Sequence, residues 1–491
     1  MKMCRITGKT EKRIENVSKR CYDSHMETFS KISNVPYLSI FQFVLGGIKM
    51  KKKLVSAVLA TALVATMFAG CGSNPAQGGS ANAGTEAGGS STATASGSVY
   101  WLNFKPEADE ALQGIAKTYT EQTGVEVKVV TAASGTYEET LTAEMDKKSA
   151  PTLFVVGNDA AVDTWGDYCY DLTGTDVYNE LNTDAFTLKK DDGTVASIGY
   201  CYETFGIIVN TKLLAEAGHS VDEIKDFESL KAVADDIHAR ASELGFDAFT
   251  SSGMADNSSW RFTGHLANMP LYFESVDDKW TECPAEVKGT YLENFKNIWD
   301  LYTTDSATDR TQLTADSLDA EKEFKDGTAV FYQNGSWEYA ALSEAWADDE
   351  MTMIPIYTGV KGEENIGLCS GTENCWAVNS KASEDDIKAT LDFMKWMVTS
   401  EEGTKVMSEQ FGVIPYKQAA PSTNVFLNKA NELANAGKTT VTWAFNYTPN
   451  VNEWRAGMVA AMNNYDAGGD WGDVEKAFVD GWAAQYKAAN Q

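Results

Sequence analysis

The sequence predicts an α/β protein of two units, the first a parallel sheet covered by helices and the second built from a similar order of strands and helices. Between residues 98 and 156, short apolar strands alternate with segments whose apolar residues recur every three or four positions. The same alternation restarts at residue 206 and continues to residue 357. Strands separated by helices form parallel sheets, because each helix returns the chain to the same edge. A length of 491 residues allows two or three domains.

The first unit contains three predicted strands and two predicted helices. In chain order, these elements are the strand 99–102, the helix 107–122, the strand 125–129, the helix 137–147 and the strand 152–156. Gly124 ends the first helix, since glycine readily adopts the left-handed conformation of a helix end. Polar residues follow the first and third strands: Asn103, Lys105, Asn158 and Asp159. Ligands bind beyond the carboxyl ends of parallel strands, so we expect these side chains in a binding site.

The second unit repeats this order. Its predicted elements are the strand 206–210, the helix 211–217, a helix capped by Asp226, an aromatic-rich helical region over 255–320, and the strands 327–332 and 351–357. Trailing helices follow. We find no internal repeat of fixed period.

The overall charge excludes one class of partner. The formal net charge is -29 at pH 7. So acidic a surface repels the phosphates of nucleic acid and keeps a protein soluble. We therefore expect no nucleic-acid ligand.

Residues 50–71 are typical of a secretory signal. Met50 is followed by three lysines, an apolar run over 54–68, and Ala69-Gly70-Cys71. The run is short for a transmembrane helix, which needs about 20 residues. Phe68-Ala69-Gly70-Cys71 resembles the lipobox of bacterial lipoproteins, which implies a signal peptide over 50–70 and lipidation of Cys71. The alternatives are an uncut signal anchor and a buried core helix.

The segments on either side of this signal complete the N-terminal region. We interpret residues 1–49 as upstream sequence from a misassigned start, the alternative being a cytoplasmic extension. Residues 71–97 are rich in Gly, Ala, Ser and Thr, with almost no charge. Such a composition predicts a flexible tether.

Three later segments resemble the family 1 extracellular solute-binding proteins of bacterial ABC importers, a group that includes maltose-binding protein. They are 200–210, which reads YCYETFGIIVN; 325–337, which contains KDGTAV and NGSW; and 377–403, which begins AVNS and ends SEEG. The resemblance extends over about residues 98–491 and depends on the order of these segments more than on any single motif.

The resemblance implies a type II periplasmic-binding-protein-like clamshell, with two lobes and three interlobe crossovers. We place the crossovers near 201–205, 354–358 and 412–415. Lobe one is then 98–202 and 355–412, and lobe two is 206–353 and 416–491. The family implies capture of a solute between the lobes, delivery to the transmembrane subunits of an ABC permease, and residence on the outer face of the membrane. We expect a monomer held to the membrane only by its lipid.

A sugar site needs flat aromatic rings for C–H faces and planar polar groups for hydroxyls. Trp337 and Trp454 open helices, and each resembles a family position that stacks on sugar. Trp260 is a third candidate. Each tryptophan has the alternative of a core role. Glu203 and Glu373 lie in predicted cleft loops and, with Asn103, Lys105, Asn158 and Asp159, complete the expected ligand-binding set. Lys105 and Arg261 suit an acidic sugar instead.

Other functions find less support. The sequence lacks the P-loop, dinucleotide-binding, zinc-protease and nucleophile-elbow motifs, and its few histidines lack metal-ligand spacing. We therefore expect neither a cofactor nor a metal. A secreted glycoside hydrolase remains the competing class, because it needs only two carboxylates in a sugar cleft. A receptor for peptides is a further alternative.

Five cysteines follow Cys71: Cys169, Cys201, Cys283, Cys369 and Cys375. An odd number leaves at least one thiol free in a monomer. Spacing leaves open whether Cys369 and Cys375 close a short loop.

Overall fold

A computed structural model describes residues 96–490 except 134, 184–185, 256–257, 316 and 413–415. These residues belong to one compact unit, Ser91–Gln491. The predictions for residues 1–49, the signal peptide, Cys71 and nearly all of the tether lie outside the described residues. Within the described part, no helix is long and apolar enough to cross a membrane.

Twelve strands are found in the described residues. They are β1 Ser98–Asn103, β2 Glu126–Thr131, β3 Leu153–Val155, β4 Thr187–Lys189, β5 Val195–Gly199, β6 Glu203–Asn210, β7 Asp247–Phe249, β8 Ala329–Gly335, β9 Met351–Ile354, β10 Ile366–Gly371, β11 Cys375–Val378 and β12 Thr439–Val441. They form two sheets, which confirms the predicted α/β class.

The first sheet has the order β2-β1-β3-β11-β5-β4. Strand β1 runs parallel to β2, from Ser98 opposite Glu126 to Asn103 opposite Thr131, and is also parallel to β3. The predicted parallel core of the first unit is therefore confirmed. Strand β11 arrives from late in the chain and pairs antiparallel with β3 and β5.

The second sheet has the order β12-β10-β6-β8-β7. Strand β6 is antiparallel to β8 on one side and to β10 and then β9 on the other. Parallel pairs flank this centre, β10 with β12 and β7 with β8. The carboxyl ends of β7, β8, β10 and β12 therefore lie at the same sheet edge as Glu203, the first residue of β6.

Helices of at least one α-turn cover both sheets. They are α1 Asp109–Thr123, α2 Tyr137–Met145, α3 Asp159–Trp165, α4 Thr211–Glu216, α5 Phe227–Ala239, α6 Ala241–Leu244, α7 Ala267–Asp278, α8 Leu292–Thr304, α9 Ala320–Lys325, α10 Tyr339–Leu342, α11 Glu384–Thr399, α12 Glu401–Gln410, α13 Val425–Asn435, α14 Val451–Asp466 and α15 Trp471–Ala489. A π-helical turn, Arg261–Leu266, precedes α7.

Local signals account for several of these boundaries. Gly124 follows α1 with φ 77°, the left-handed conformation that glycine adopts without strain. Asp226 accepts a hydrogen bond from the Ser229 backbone N–H, and the Ser229 hydroxyl accepts one from the backbone N–H of Asp226. This capping box fixes the start of α5, as the sequence predicts.

We define lobe one as the residues that build the first sheet and its helices, and lobe two as those that build the second. Each lobe has a separate apolar core. The lobe-one core includes Trp101, Phe154 and Trp376, and the lobe-two core includes Phe295, Trp299 and Trp482. A smaller cluster around Tyr332 and Phe426 lies under the outer face of the second sheet.

The chain passes between the sheets at three places. The first passage is at 200–202, between β5 and β6, beside the predicted 201–205. The second is at 372–374, between β10 and β11, so the predicted crossover at 354–358 is wrong. Strand β9 stays in the second sheet because it pairs with β6, and β10 pairs there as well. Residues 355–371 therefore belong to lobe two.

The third passage also differs from the prediction. Tyr416 is buried in the lobe-one core, and the Lys417 backbone N–H donates to the carbonyl of Glu180 in lobe one. Helix α13 packs against β9 and β10 of lobe two. The chain therefore returns to lobe two between 417 and 424, later than the predicted 412–415, because Tyr416 fills a place in the first core.

Candidate functional site

The polar ends of both sheets meet where the chain passes between the lobes. A cavity of about 270 Å³ opens there and is lined from both sides. Glu107 and Phe411 come from lobe one, Ser336 and Trp337 from lobe two, and Glu203 lies between them. We call this cavity, together with the adjoining polar edge of the second sheet, the cleft.

Trp337 lines the cleft, as the sequence predicts. It lies in the short helical turn Ser336–Glu338 that follows β8, and its side chain is half-buried. The ring folds back over Gly335, where an added Cβ would lie 2.2 Å from a ring carbon. Only glycine permits this approach, so the Asn334-Gly335-Ser336 turn places the indole at the cleft wall.

Aromatic rings next to Trp337 form a continuous platform on lobe two. Trp260 lies 6.0 Å from Trp337 between ring centroids, and His265 lies 4.9 Å from Trp260 and 5.3 Å from Trp337. Phe205 stacks on His265 at 4.0 Å with the planes 9° apart. Trp443 adjoins Phe205 at 5.6 Å. We call these five rings the aromatic platform.

Sequence reasoning found only Trp337 and Trp260 of the platform. Trp443 follows β12 after one residue, so a strand over 439–441 followed by an aromatic residue was the available signal. Phe205 lies in β6, just after the first passage. A Cβ at Gly371 would meet the Trp443 ring at 2.7 Å. His265 carries no such signal, because its position depends on the π-helical turn.

Lys105 and Glu203 form a buried ion pair at the base of the cleft. Lys105 Nζ lies 2.5 Å from Glu203 Oε1 and 2.9 Å from Glu107 Oε1. Asn374 Nδ2 donates to Glu203 Oε2 at 2.9 Å. Burial opposes the charge of Lys105, but the two carboxylates raise its pKa above the ordinary value. These contacts join lobe one to the first and second passages. Glu203 is 4% exposed, so it leaves little surface for a ligand.

Asn103 is also a structural residue. It is fully buried, and its Nδ2 donates to the Lys105 carbonyl at 2.6 Å and to Thr131 Oγ1 at 3.1 Å. Its Oδ1 accepts from the Lys105 backbone N–H at 3.1 Å. The expectation that Asn103 contacts ligand is corrected, because both the nitrogen and the oxygen of its side-chain amide are already hydrogen-bonded within the protein.

Glu373 and Arg455 lie close enough for each charge to influence the other, without an ion pair between them. Burial raises the pKa of Glu373 to about 7, and the nearby Arg455 guanidinium limits the rise. Arg455 is half-buried on α14, where its Nε donates to Thr263 Oγ1 at 3.4 Å. Among the described residues, no carboxylate lies within ion-pair distance of Arg455. Sequence reasoning named Glu373 and missed Arg455, the residue after Trp454.

Asn158 and Asp159 lie at the lobe-one side of the cleft. Asn158 Oδ1 accepts from the Ala161 backbone N–H at 2.9 Å and caps α3. Asp159 is exposed at the first position of α3, and desolvation and Asp163 raise its pKa. Helix α3 contacts the turn Ala444–Tyr447 of lobe two, and Asp159 contributes to the raised pKa of Tyr447. Asp159 therefore faces the opposite wall, while Asn158 holds the helix start.

Trp454 is not at the cleft surface, and its predicted stacking role is corrected. Its side chain is 2% exposed and packs on Phe478 and Trp482. The indole Nε1 donates to the Phe478 carbonyl at 3.0 Å. Helix α15 covers the ring because α14 and α15 pair closely along their length.

Two further expectations concern cations and thiols. Arg261 is buried, and its guanidinium donates to the backbone carbonyls of Gln333 and Ser251 instead of facing a ligand. All five described cysteines are free thiols, so Cys369 and Cys375 form no disulfide. In the described part of the chain, no group of His, Cys, Asp and Glu side chains is arranged to hold a metal ion.

Comparison with known proteins identifies both a family and a fold. A family model described as bacterial extracellular solute-binding protein matches residues 114–435. RafE in complex with raffinose aligns with a TM-score of 0.60 at 16% identity, over 80% of this chain and 100% of RafE. A chitin oligosaccharide binding protein aligns at 0.59 and 16% identity, over 80% of this chain and 99% of that protein.

A third solved structure gives the same result. A sugar transporter protein from Bacillus licheniformis, in complex with stachyose, aligns with a TM-score of 0.56 and 15% identity, over 79% of this chain and 99% of that protein. At such identities these likenesses establish the two-lobed fold of periplasmic-binding-protein type.

Proposed function

Because this chain belongs to the bacterial extracellular solute-binding protein family, we propose that it captures a sugar between its lobes and delivers it to an ABC permease. The family consists of binding proteins, not enzymes. The aromatic platform is the observation that carries the sugar proposal. Flat rings at a cleft wall complement the apolar C–H face of a pyranose, and nearby polar groups complement its hydroxyls.

The polar residues of the cleft favour an uncharged sugar over a uronate. Lys105 is paired with Glu203 and Glu107, and Arg261 is held by backbone carbonyls. The charge of Arg455 lies near Glu373. Lys105 and Arg261 therefore have partners within the protein, and a ligand carboxylate that approached Arg455 would also meet the charge of the nearby Glu373.

Closure of the lobes supplies the transport signal in this proposal. The sugar docks first on the aromatic platform of lobe two, and closure brings Asp159 of lobe one and Glu373 onto the remaining hydroxyls. Ligand favours the closed form only through contacts that differ between the two forms. The permease recognises closure, and its own subunits hydrolyse ATP.

The N-terminal region completes the proposal. A signal peptide over 50–70 directs export, Cys71 carries lipid, and residues 71–97 tether a monomer to the outer face of the membrane. Growth with a palmitate analogue should label the wild-type protein and not Cys71→Ser. A labelled variant, or a secreted wild type without lipid, would contradict the anchor. Any peptide from residues 1–49 in a mass spectrum would contradict the proposed start.

A thermal-shift screen tests the sugar proposal directly. The probes are raffinose, stachyose, chitotriose, maltotriose, xylotriose, galacturonic acid and a tripeptide mixture. We expect a neutral sugar to raise the melting temperature, because a ligand that binds only the folded state stabilises it. Chromatography after incubation should recover the sugar intact. A rise in melting temperature with peptide or galacturonic acid alone would contradict the proposal. Shortened sugars after incubation would support the alternative of a glycoside hydrolase.

A further inference from the structure

His265 occupies the centre of the aromatic platform. The imidazole is 7% exposed and lies between Phe205 beneath it and the rings of Trp260 and Trp337 beside it. A histidine in such a position contributes two nitrogen atoms to a surface that is otherwise apolar. Buried polar atoms are nearly always hydrogen-bonded, so the partners of both nitrogens matter.

One nitrogen is already occupied. Gln333 Nε2 lies 3.2 Å from His265 Nδ1, and Gln333 follows Tyr332 in β8. In a neutral imidazole one nitrogen accepts and the other donates. With the Gln333 amide oriented so that its Nε2 faces the imidazole, Nδ1 accepts and the proton lies on Nε2 of His265.

The other nitrogen has no hydrogen-bond partner in the part of the chain that the structure describes. Among the described residues, His265 makes no further hydrogen bond. Its Nε2 atom is nevertheless absent from the set of polar atoms that are both fully buried and without a partner. Some of the small exposed surface of His265 therefore belongs to Nε2. Phe205 covers one face of the ring at 4.0 Å, so this surface lies at the ring edge or on the other face, where Trp260 and Trp337 adjoin the imidazole.

The surroundings keep the ring uncharged. Burial lowers the pKa of His265 well below 6.5, and Arg455 and Arg261 lower it further. A neutral donor pairs with a hydroxyl oxygen of an uncharged sugar without the desolvation cost of an imidazolium.

We propose that the His265 Nε2–H group donates a hydrogen bond to a hydroxyl oxygen of the bound sugar, and so determines how the sugar lies across Trp260 and Trp337. This inference rests on the proposed function. Stacking alone tolerates rotation of a sugar about the ring normal, whereas a fixed donor at the edge of the two indoles selects one orientation and one hydroxyl.

The experiment compares wild type with His265→Phe and His219→Phe. Phenylalanine keeps a flat ring on Phe205 and removes both ring nitrogens, the Nε2–H donor and the acceptor of the Gln333 amide, whereas His219 is paired with Glu223 and Asp236 away from the platform. Calorimetry uses whichever of raffinose, stachyose, chitotriose, maltotriose or xylotriose binds the wild type most tightly. We expect His265→Phe to weaken binding about tenfold and His219→Phe to leave it unchanged.

Nuclear magnetic resonance of protein labelled with 15N histidine provides a readout that does not depend on a variant. The free protein should show His265 neutral from pH 5 to 8 with the proton on Nε2. Adding the same sugar should shift the Nε2–H resonance and slow its exchange with water, without moving His219 or His238.

Each outcome decides one proposal. A proton on Nδ1, or a His265 signal and a His265→Phe affinity that both stay unchanged while the wild type binds sugar, would overturn this inference alone. A wild type that binds none of the five sugars would overturn the sugar proposal and this inference with it.

Discussion

Trp337 and Trp454 differ in exposure although their local sequences are alike. Each lies at a helix start after polar residues, Asn334-Gly335-Ser336 in one case and Asn450 to Glu453 in the other. Trp337 follows a strand whose carboxyl end faces the cleft, and glycine lets its ring lie across the turn. Trp454 faces α15, which supplies Phe478 and Trp482 to cover it.

The comparison shows what a helix start does and does not determine. It fixes the backbone direction of an aromatic residue, but a second element decides whether the ring meets solvent or core. In this fold, sheet ends supply the cleft and a helical hairpin supplies the core. The four predictions below test this division, in order of decreasing effect.

Trp454→Ala should have the largest effect, on stability. Removing a fully buried indole and its hydrogen bond to Phe478 should lower the free energy of unfolding by about 3–5 kcal/mol. Denaturant unfolding measures this loss, and Trp454→Phe should lose less because it retains part of the packing. Protein that remains folded at low temperature should keep its sugar affinity. A stable Trp454→Ala variant with weak affinity would reverse the comparison.

Glu203→Ala tests whether the cleft floor is structural. The change leaves Lys105 with Glu107 alone and removes the acceptor of Asn374, so we expect a loss of about 3 kcal/mol in the free energy of unfolding. Asp392→Asn breaks the exposed pair with Lys388 and should cost below about 0.5 kcal/mol. Equal effects of the two changes would argue against a buried network between the lobes.

Trp337→Ala should affect binding instead of stability. Loss of this half-buried ring of the platform should weaken sugar affinity about 30-fold, or about 2 kcal/mol, with little change in melting temperature. Trp346, a half-buried indole that donates to the Phe324 carbonyl away from the cleft, provides the matched control. If Trp346→Ala and Trp337→Ala weaken binding equally, the platform is not the ligand surface.

Glu373→Gln should have the smallest effect, and one that depends on pH. Since the pKa of Glu373 is about 7 in the folded protein against 4.5 ordinarily, the folded state holds its proton more tightly. Stability of the wild type therefore falls as pH rises from about 4.5 through 7. Glutamine cannot ionise, so the melting temperature of the variant should exceed that of wild type by about 1–3 °C at pH 8 and match it near pH 4. A difference in melting temperature that does not change with pH would indicate that Glu373 is exposed to solvent.

Much of the architecture could be predicted from local patterns. The strand and helix order over residues 98–156, the parallel core of β1, β2 and β3, and the Asp226 cap follow from periodicity and capping residues. The boundary at 354–358 could not, because it depends on β10 joining β6 in the second sheet. The sequence of a short apolar segment does not indicate which of the two sheets the segment will join.

The candidate site divides in the same way. The sequence by itself determined that an acidic α/β chain carries aromatic residues at helix starts, and the resemblance to a family position singled out Trp337. Only the tertiary structure decided that α15 covers Trp454 and that the side-chain amide of Asn103 is fully hydrogen-bonded within the protein. It also decided that His265, Phe205, Trp443 and Arg455 lie near one another in lobe two. The physical reason is that periodicity and capping act within about four residues, whereas burial and electrostatic environment depend on side chains brought together from up to about 250 residues apart.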